Sequence, residues 1–262
     1  MTAKEIFEKL LGEALGPWPN TCDGLIAGNE HKEVRKVGTC FKLTAELIGR
    51  AQAEGIDMII THEPTFARGD VVDEHSGRID RQKLAMLLDS GITLYRFHDH
   101  AHHTRPDYIH KGFIDTLGLK IAHDFPRESL GVCRYKLAEP LTTKELAVRI
   151  REKLGVEFVR IVGKDDYPVE IICLGLGGVG LAQIDKLFAP GCDLFVTGEL
   201  GEVCVAEYVR DACFFGENKS VLMLGHYSSE YAGMRYLAER LNETTVPTVF
   251  LEGGEVYHGT ER

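Results

Sequence analysis

Apolar positions at Ile6, Leu10, Leu11 and Leu15 recur with a helical period along residues 3 to 15, and Gly16-Pro17 stops the pattern. Val34 to Phe41 then predicts a short strand, Thr44 to Ala53 a helix closed by Gly55, and Asp57 to Ile60 an unbroken apolar strand. Such a run suits a strand covered on both faces. A helix over Gln82 to Leu88 and a strand from Ile92 to Phe97 follow, and then the tract HDHAHHTRPDY. Thr104 and Pro106 can open another helix there, because proline is tolerated in a first turn. The remainder repeats this grammar: helix 143 to 154, strands Phe158 to Val162 and Val169 to Leu174, a short helix Ala182 to Phe188, and strand Leu194 to Val196. Helix 203 to 211, strand Val221 to Leu224 and a helix from about Glu230, capped by Ser228 or Ser229, complete it. Strands alternating with helices predict an α/β layout of mixed sheets flanked by helices.

The pattern is written twice. Gly55-Ile56-Asp57-Met58-Ile59-Ile60-Thr61-His62-Glu63 is echoed by Gly191-Cys192-Asp193-Leu194-Phe195-Val196-Thr197-Gly198-Glu199. Thr2-Ala3-Lys4-Glu5-Ile6 has a partner in Thr142-Thr143-Lys144-Glu145-Leu146, and His98 with His102 is matched by His226 with Glu230. The matches keep their order, as a duplication with small loop deletions would give. Two modules are expected, 1 to 126 and 127 to 262, joined at DFPRES (124 to 129), packed closely and free to exchange elements.

Composition narrows the function. With 262 residues, 44% apolar and 27% charged, the chain is an ordinary globular protein. A net charge of −10 argues against nonspecific binding to nucleic acid or anionic lipid. Arg149, Arg151 and Lys153 on one helix read as a solvated face. The N-terminus lacks the apolar core of a signal peptide, and no stretch approaches the ~20 apolar residues that span a bilayer, so a cytoplasmic location is expected. Seven cysteines without a Cys-x-x-Cys pair read as reduced thiols, most of them small core residues, not a disulfide or zinc framework.

In α/β sheets ligands gather at the carboxyl ends of strands. His62-Glu63, His98 to His103, and His226 to Glu230 all sit there. Imidazole and carboxylate together suit zinc, iron, manganese, cobalt or nickel. Six candidates, His62, Glu63, His98, His102, His226 and Glu230, exceed what one four-coordinate ion uses and suit two divalent ions. Isolated histidines such as His31, His75, His110, His123 and His258 read more plainly as loop residues. A competing motif is Gly175-Leu176-Gly177-Gly178-Val179-Gly180, which matches a dinucleotide fingerprint with Glu199 further on. The helix after it is short for that fold, and the duplication already accounts for Glu199 as the counterpart of Glu63, so the glycines read mainly as a tight turn. Neither a Walker loop nor a G-x-S-x-G elbow is present.

THEPTF after a strand, the histidine tract after ITLYRF, TGEL after CDLFV, GHYSSE before the last helix and the CDGLIAG segment near the N-terminus together resemble the NIF-three-like dinuclear metal centre family, also known as type 2 GTP cyclohydrolase I homologs. The resemblance spans nearly the whole chain. It implies a duplicated fold of two intertwined α/β modules, a homohexameric ring and paired metals. Position by position, the family's THHP pair falls on His62 and Glu63, its HTNLD segment on His98 to His102, and its GHY-x-x-E on His226 and Glu230. Glu63 stands where the family has histidine, and His102 where it has aspartate. The exchange preserves ligand number and charge. Asp99 can replace the lost aspartate, with His102 or His103 then behind it.

The expected activity is therefore a metal-dependent hydrolase acting on an unidentified small molecule, with a nucleotide implied by the cyclohydrolase label. Paired ions acidify water and polarise the oxygen it attacks. Asp99, His100, His103 or Glu199 would carry protons. The alternative is a non-catalytic oligomeric metal-binding regulator or scaffold.

Overall fold

The computed structural model describes residues 1–126, 130–178 and 191–258. The chain divides into two compact units: Met1–Ile109 with Gly233–Gly254, and His110–Ala232 with Glu255–Arg262. Residues 233 to 254, late in the chain, thus belong to the first unit.

In the first unit the strands are β1 (Gly24–Ala27), β2 (Val37–Cys40), β3 (Met58–Thr61), β4 (Thr93–Arg96) and β11 (Thr248–Phe250). They form one sheet in the order β1-β4-β3-β2-β11. β2, β3, β4 and β11 run parallel, and β1 closes the edge antiparallel. Every residue of β2 and β3 is buried, as the unbroken apolar runs predict. Helix α1 (Ala3–Leu11) buries Ile6, Phe7 and Leu10. Its Phe7 stacks on Tyr95 at 4.3 Å between ring centroids. Helices α2 (Ala45–Ala53) and α3 (Arg78–Ser90) place Leu47, Ile48, Ala51 and Leu87 in a cluster with Ile59 and Leu94. Leu94 and Tyr95 are consecutive and point to opposite faces, so α1 covers one face and α2 and α3 the other. Each fully buried large side chain contributes roughly 1.5–3 kcal/mol.

The second unit holds β5 (Ile121–Asp124), β6 (Val132–Thr142), β7 (Arg160–Gly163), β8 (Pro168–Gly178), β9 (Leu194–Glu199) and β10 (Ser220–Met223), in the order β5-β6-β8-β9-β10-β7. β8, β9 and β10 are parallel, and β7 is antiparallel at the edge beside β10. Helices α5 (Thr143–Leu154) and α6 (Glu207–Phe214) belong here, and the chain crosses between the units within α4 (Tyr108–Leu117) and α7 (His226–Thr244). Val205 and Val209 pack with Cys173, Phe195 and Val221.

The duplication is visible in matching detail. β1-β4-β3-β2 and β7-β10-β9-β8 have the same order and the same directions. Thr2 and Thr142 each cap a helix in a complete capping box, with Glu5 and Glu145 reaching back. Gly55 and Gly191 both take positive φ, 68° and 78°, before the repeated strand. At its end Thr61 Oγ1 donates to the Glu63 carbonyl at 3.2 Å, and Thr197 Oγ1 to the Glu199 carbonyl at 3.1 Å.

Some elements depart from the pattern. The last helix starts at His226, one turn before the expected position, so His226 and Glu230 are successive turns of one helix face. Ser228 and Ser229 do not cap it: Ser228 Oγ donates to Glu255 and Ser229 Oγ to the His226 carbonyl. β1, β5, β6 and β11 are short or polar on one side and carry no strong apolar run. The expected helix 182 to 188 and residues 127 to 129 of the expected joint lie outside the described residues. Among the described residues no helix is long and apolar enough to cross a membrane. All seven cysteines are free, and Cys40, Cys133, Cys173 and Cys192 are buried.

Loss of the second capping box should be felt at the scale of one cap. Thr142→Ala is expected to lower stability by about 1 kcal/mol, read as a reduced urea midpoint at unchanged slope.

Candidate metal centre

Strands β3 and β4 are neighbours in register, with Thr61 opposite Arg96. The residues that follow them therefore emerge side by side. His62 leaves β3 and His98 leaves β4, and their rings stack with centroids 4.5 Å apart. A 3-10 turn, Ala101–His103, carries the chain back by one turn, the His102 amide donating to the His98 carbonyl at 3.1 Å. His102 thereby reaches 5.2 Å from both other rings. One ligand atom from each of the three histidines lies within 4.8 Å of the others. Glu63 is adjacent, its Oε1 3.6 Å from His98 Nε2.

The three Nδ1 atoms share one arrangement. His62 Nδ1 meets the Phe97 carbonyl at 3.1 Å, His98 Nδ1 meets Asp99 Oδ1 at 2.9 Å and His102 Nδ1 meets Asp107 Oδ2 at 3.1 Å. A neutral ring donating from Nδ1 carries its lone pair on Nε2, which is the tautomer a metal ligand needs. Burial works against the charge of Asp99, yet hydrogen bonds from His98, the Cys22 amide and Thr21 hold it well below the usual carboxylate range.

Asp23, with no exposed side-chain surface, ties this loop down. It accepts the amides of His98 (2.5 Å), Asp99 (3.1 Å) and His100 (2.8 Å) and takes His100 Nδ1 at 2.8 Å. His100 is thus directed to Asp23, whereas His103 lies edge-on to Trp18 at 5.0 Å. Burial pushes the neighbouring Cys22 thiol up to about 12, with Arg96 opposing and Asp23 and Asp99 adding to the effect.

The loop after β3 is held by cations. Arg96 Nε donates to the His62 carbonyl at 3.1 Å and its Nη1 to Asp70 at 3.0 Å; Lys42 donates to the Pro64 carbonyl, and Lys83 to the carbonyls of Leu43 and Thr65. Burial, with Lys42 nearby, brings Lys83 down to about 8.

The second unit has its own donor set at the repeated strand ends. Glu199 ends β9, and its Oε1 is 2.6 Å from His226 Nδ1. His226 Nε2 faces Glu230 Oε2 at 3.3 Å. Glu230 is almost wholly buried, with 2% of its side chain exposed. Room for this pair comes from the glycines. Gly177 takes φ +75°, and a Cβ there would stand 2.3 Å from Glu230 Oε1 and 2.9 Å from His226 Nε2. At Gly198 a Cβ would stand 2.6 Å from Ser229 Oγ. The described part of the Gly-rich segment therefore makes a cradle for an imidazole and a carboxylate. Residues 179 and 180 lie outside the described residues.

Among the sequence candidates, the structure brings His62, His98, His102 and Glu63 together in the first unit and His226, Glu230 and Glu199 together in the second. It sets Asp99 behind His98. Sequence spacing missed Asp23 and Asp107. Asp107 had a signal, a carboxylate just before a helix, and it does accept the Ile109 amide at 3.0 Å. Asp23 lies in the CDGLIAG segment, but spacing could not tie it to partners so far along the chain. Three imidazoles with a ligand atom each within 4.8 Å of the others, beside a carboxylate, fit a divalent ion of borderline softness.

The chain belongs to the Duf34/NIF3 family (NGG1p interacting factor 3), whose model matches residues 13–253. It is 28% identical over 245 residues to an Escherichia coli protein named GTP cyclohydrolase 1 type 2 homolog, covering 92% of this chain and 91% of that one. A Clostridium perfringens protein of the same name is 26% identical over 229 residues, covering 84% and 82%. In fold it matches reduced HcgD from Methanocaldococcus jannaschii, with a TM-score of 0.76 at 21% identity over 96% of this chain and 98% of the other. Staphylococcus aureus protein SA1388 matches with a TM-score of 0.78 at 18% identity over 99% of each.

Gly177→Ala should push the Glu230 carboxylate aside and reduce divalent-ion affinity about 10-fold or more, measured by chelator competition; an unchanged affinity would refute the cradle. Lys83 gives a pH prediction. Its folded value, about 8, lies below the ordinary 10.5, so the folded state gives up this proton first and gains stability relative to Lys83→Met as pH rises between those values. Urea unfolding of both proteins across that window should show the difference growing with pH.

Proposed function

We propose that this protein is a metal-dependent hydrolase of a small molecule, its two divalent ions held by His62, Glu63, His98 and His102 in the first unit and by His226 and Glu230 in the second. The observation that carries this reading is the convergence of three imidazoles, each with Nδ1 committed to an oxygen, at adjacent strand ends. A histidine kept for packing alone has no need of that shared Nδ1 pairing.

Bound divalent ions would supply an acidified water and an electrophile for the oxygen of the scissile group. The chain's residues do the rest. Asp99, Asp107 and the Phe97 carbonyl orient the three rings. Glu63, beside His98, would complete the donor set, leaving proton transfer to an unligated carboxylate such as Glu199. Glu199 fixes His226 so that Nε2 faces Glu230. The relatives' name points to a guanosine nucleotide as the substrate class, where water would add to the purine ring. We further expect a homohexamer in the cytoplasm, with a mass by light scattering near six times 29.2 kDa.

Wild-type protein purified without chelators is expected to carry divalent ions and to hydrolyse at least one member of a panel of nucleotides, phosphoesters and cyclic amides. Glu230→Gln and His62→Ala should each reduce that activity by about 100-fold or more. Metal-loaded protein inert across the panel would favour the regulator or scaffold, and activity indifferent to both substitutions would sink the hydrolase.

A further inference from the structure

We propose that Trp18 is a stacking platform for the ligand, so that the protein takes a planar nitrogen heterocycle of nucleobase size and holds it by its face. The inference rests on the hydrolase reading above for the place where the ligand reacts, and adds to it a binding residue and the chemical class that residue recognises.

Trp18 is the only tryptophan of the chain. It lies on residues 15 to 23, a strap tied at both ends to the loop of residues 98 to 103. At one end the Leu15 amide donates to the His103 carbonyl at 2.8 Å. At the other, Thr21 Oγ1 and the Cys22 amide each donate to Asp99 Oδ2 at 3.0 Å, and Asp23 accepts the amides of His98, Asp99 and His100. Glu13, just before the strap, is held by Arg240 at 3.0 Å and by Tyr108. The indole therefore keeps a fixed place beside the histidine loop, where its ring meets that of His103 at 5.0 Å and 63°. His103 follows His102 in the same 3-10 turn.

The setting of this ring suits a ligand better than a core. The indole is only half-buried, although the strap that carries it is firmly tied, and a tryptophan serving the core hides most of its surface. Pro17 and Pro19 flank it, so φ is fixed on either side and Trp18 itself is biased to extended backbone. Little conformational freedom is then left to lose when a ligand lands on the ring. The contact with His103 is edge to face, and such a neighbour covers at most one of the indole's two faces.

Charge points the same way. The chain carries a net −10, and Arg96, Lys42 and Lys83 are committed to carbonyls and to Asp70 in the loop after β3. An anionic group on the ligand gains little from that field, so affinity for the organic part falls to its flat face. Stacking supplies it for any planar base, because each has a π-face.

Because Trp18 is the sole tryptophan, indole fluorescence reports this place and no other. Metal-loaded full-length protein is titrated with guanosine, adenosine, uridine and nicotinamide, and with ribose as a non-planar control. At least one heterocycle should quench the indole saturably, and ribose at the same concentration should not. Calorimetry with that heterocycle then compares variants. Trp18→Ala and Trp18→Leu should each weaken binding about 10-fold or more, whereas Trp18→Phe should stay within about threefold of wild type, since a phenyl ring still stacks. Divalent-ion content and urea midpoints near wild type separate loss of the platform from misfolding. Should the leucine variant fold poorly, shielding of the wild-type indole from acrylamide by the bound heterocycle is the second route. Saturable quenching by none of the four, equal quenching by ribose, or a leucine variant that binds as tightly as wild type would overturn the platform. Heterocycle binding that is lost in Trp18→Leu, in a protein that hydrolyses nothing, would overturn only the catalytic reading. Hydrolysis at wild-type KM in Trp18→Leu would overturn the platform and leave the hydrolase standing.

Discussion

Everything proposed for this protein depends on one constraint, the parallel pairing of β3 with β4 that sets Thr61 opposite Arg96. Two strands in that register must release the residues after them side by side: His62 directly after β3, and His98 one residue past Phe97 after β4. A single turn of 3-10 helix adds His102 to the same place. The cost of gathering three polar rings at a buried strand edge is met by local partners: each Nδ1 has an oxygen within 3.1 Å, so desolvation is offset ring by ring. The backbone beneath is fixed by Asp23, which binds three consecutive amides, and by Arg96, which binds the His62 carbonyl.

The second unit solves a related problem with the opposite material. Its strands β9 and β10 repeat the pairing, Thr197 opposite Met223. Where the first unit places His62, the second has Gly198, and where the first keeps His98 and His102 in a loop, the second puts His226 and Glu230 on a helix. Glycine is required there, because at Gly198 and Gly177 a Cβ would collide with Ser229 and with the Glu230 carboxylate. One ancestral pattern has thus given an imidazole-rich edge in one copy and a glycine-lined carboxylate site in the other.

Much of this was legible in the chain because it rests on local rules. Unbroken apolar runs announced the central strands, the paired Thr-x-x-Glu segments at 2 and 142 marked the repeat, and strand-end placement announced the six candidate ligands. The dinucleotide-like glycines were ambiguous for a physical reason: a close backbone approach looks the same in sequence whether the neighbour is a phosphate or a glutamate. The partners of Asp23, and which residues (233 to 254) are exchanged into the first unit, were hidden because both are set by contacts far apart in sequence. The start of α7 was misplaced because glycine and histidine before a helix resemble a loop, and that turn is where His226 gains its alignment with Glu230.

The most direct test of the account is an anomalous-scattering map, at the absorption edges of the bound metals, from crystals of protein purified without chelators. A peak is expected about 2.0–2.1 Å from a nitrogen of each of His62, His98 and His102, with the energy dependence of zinc, cobalt, nickel or iron. Density showing those three rings with no anomalous peak between them, in protein that carries metal elsewhere, would contradict it.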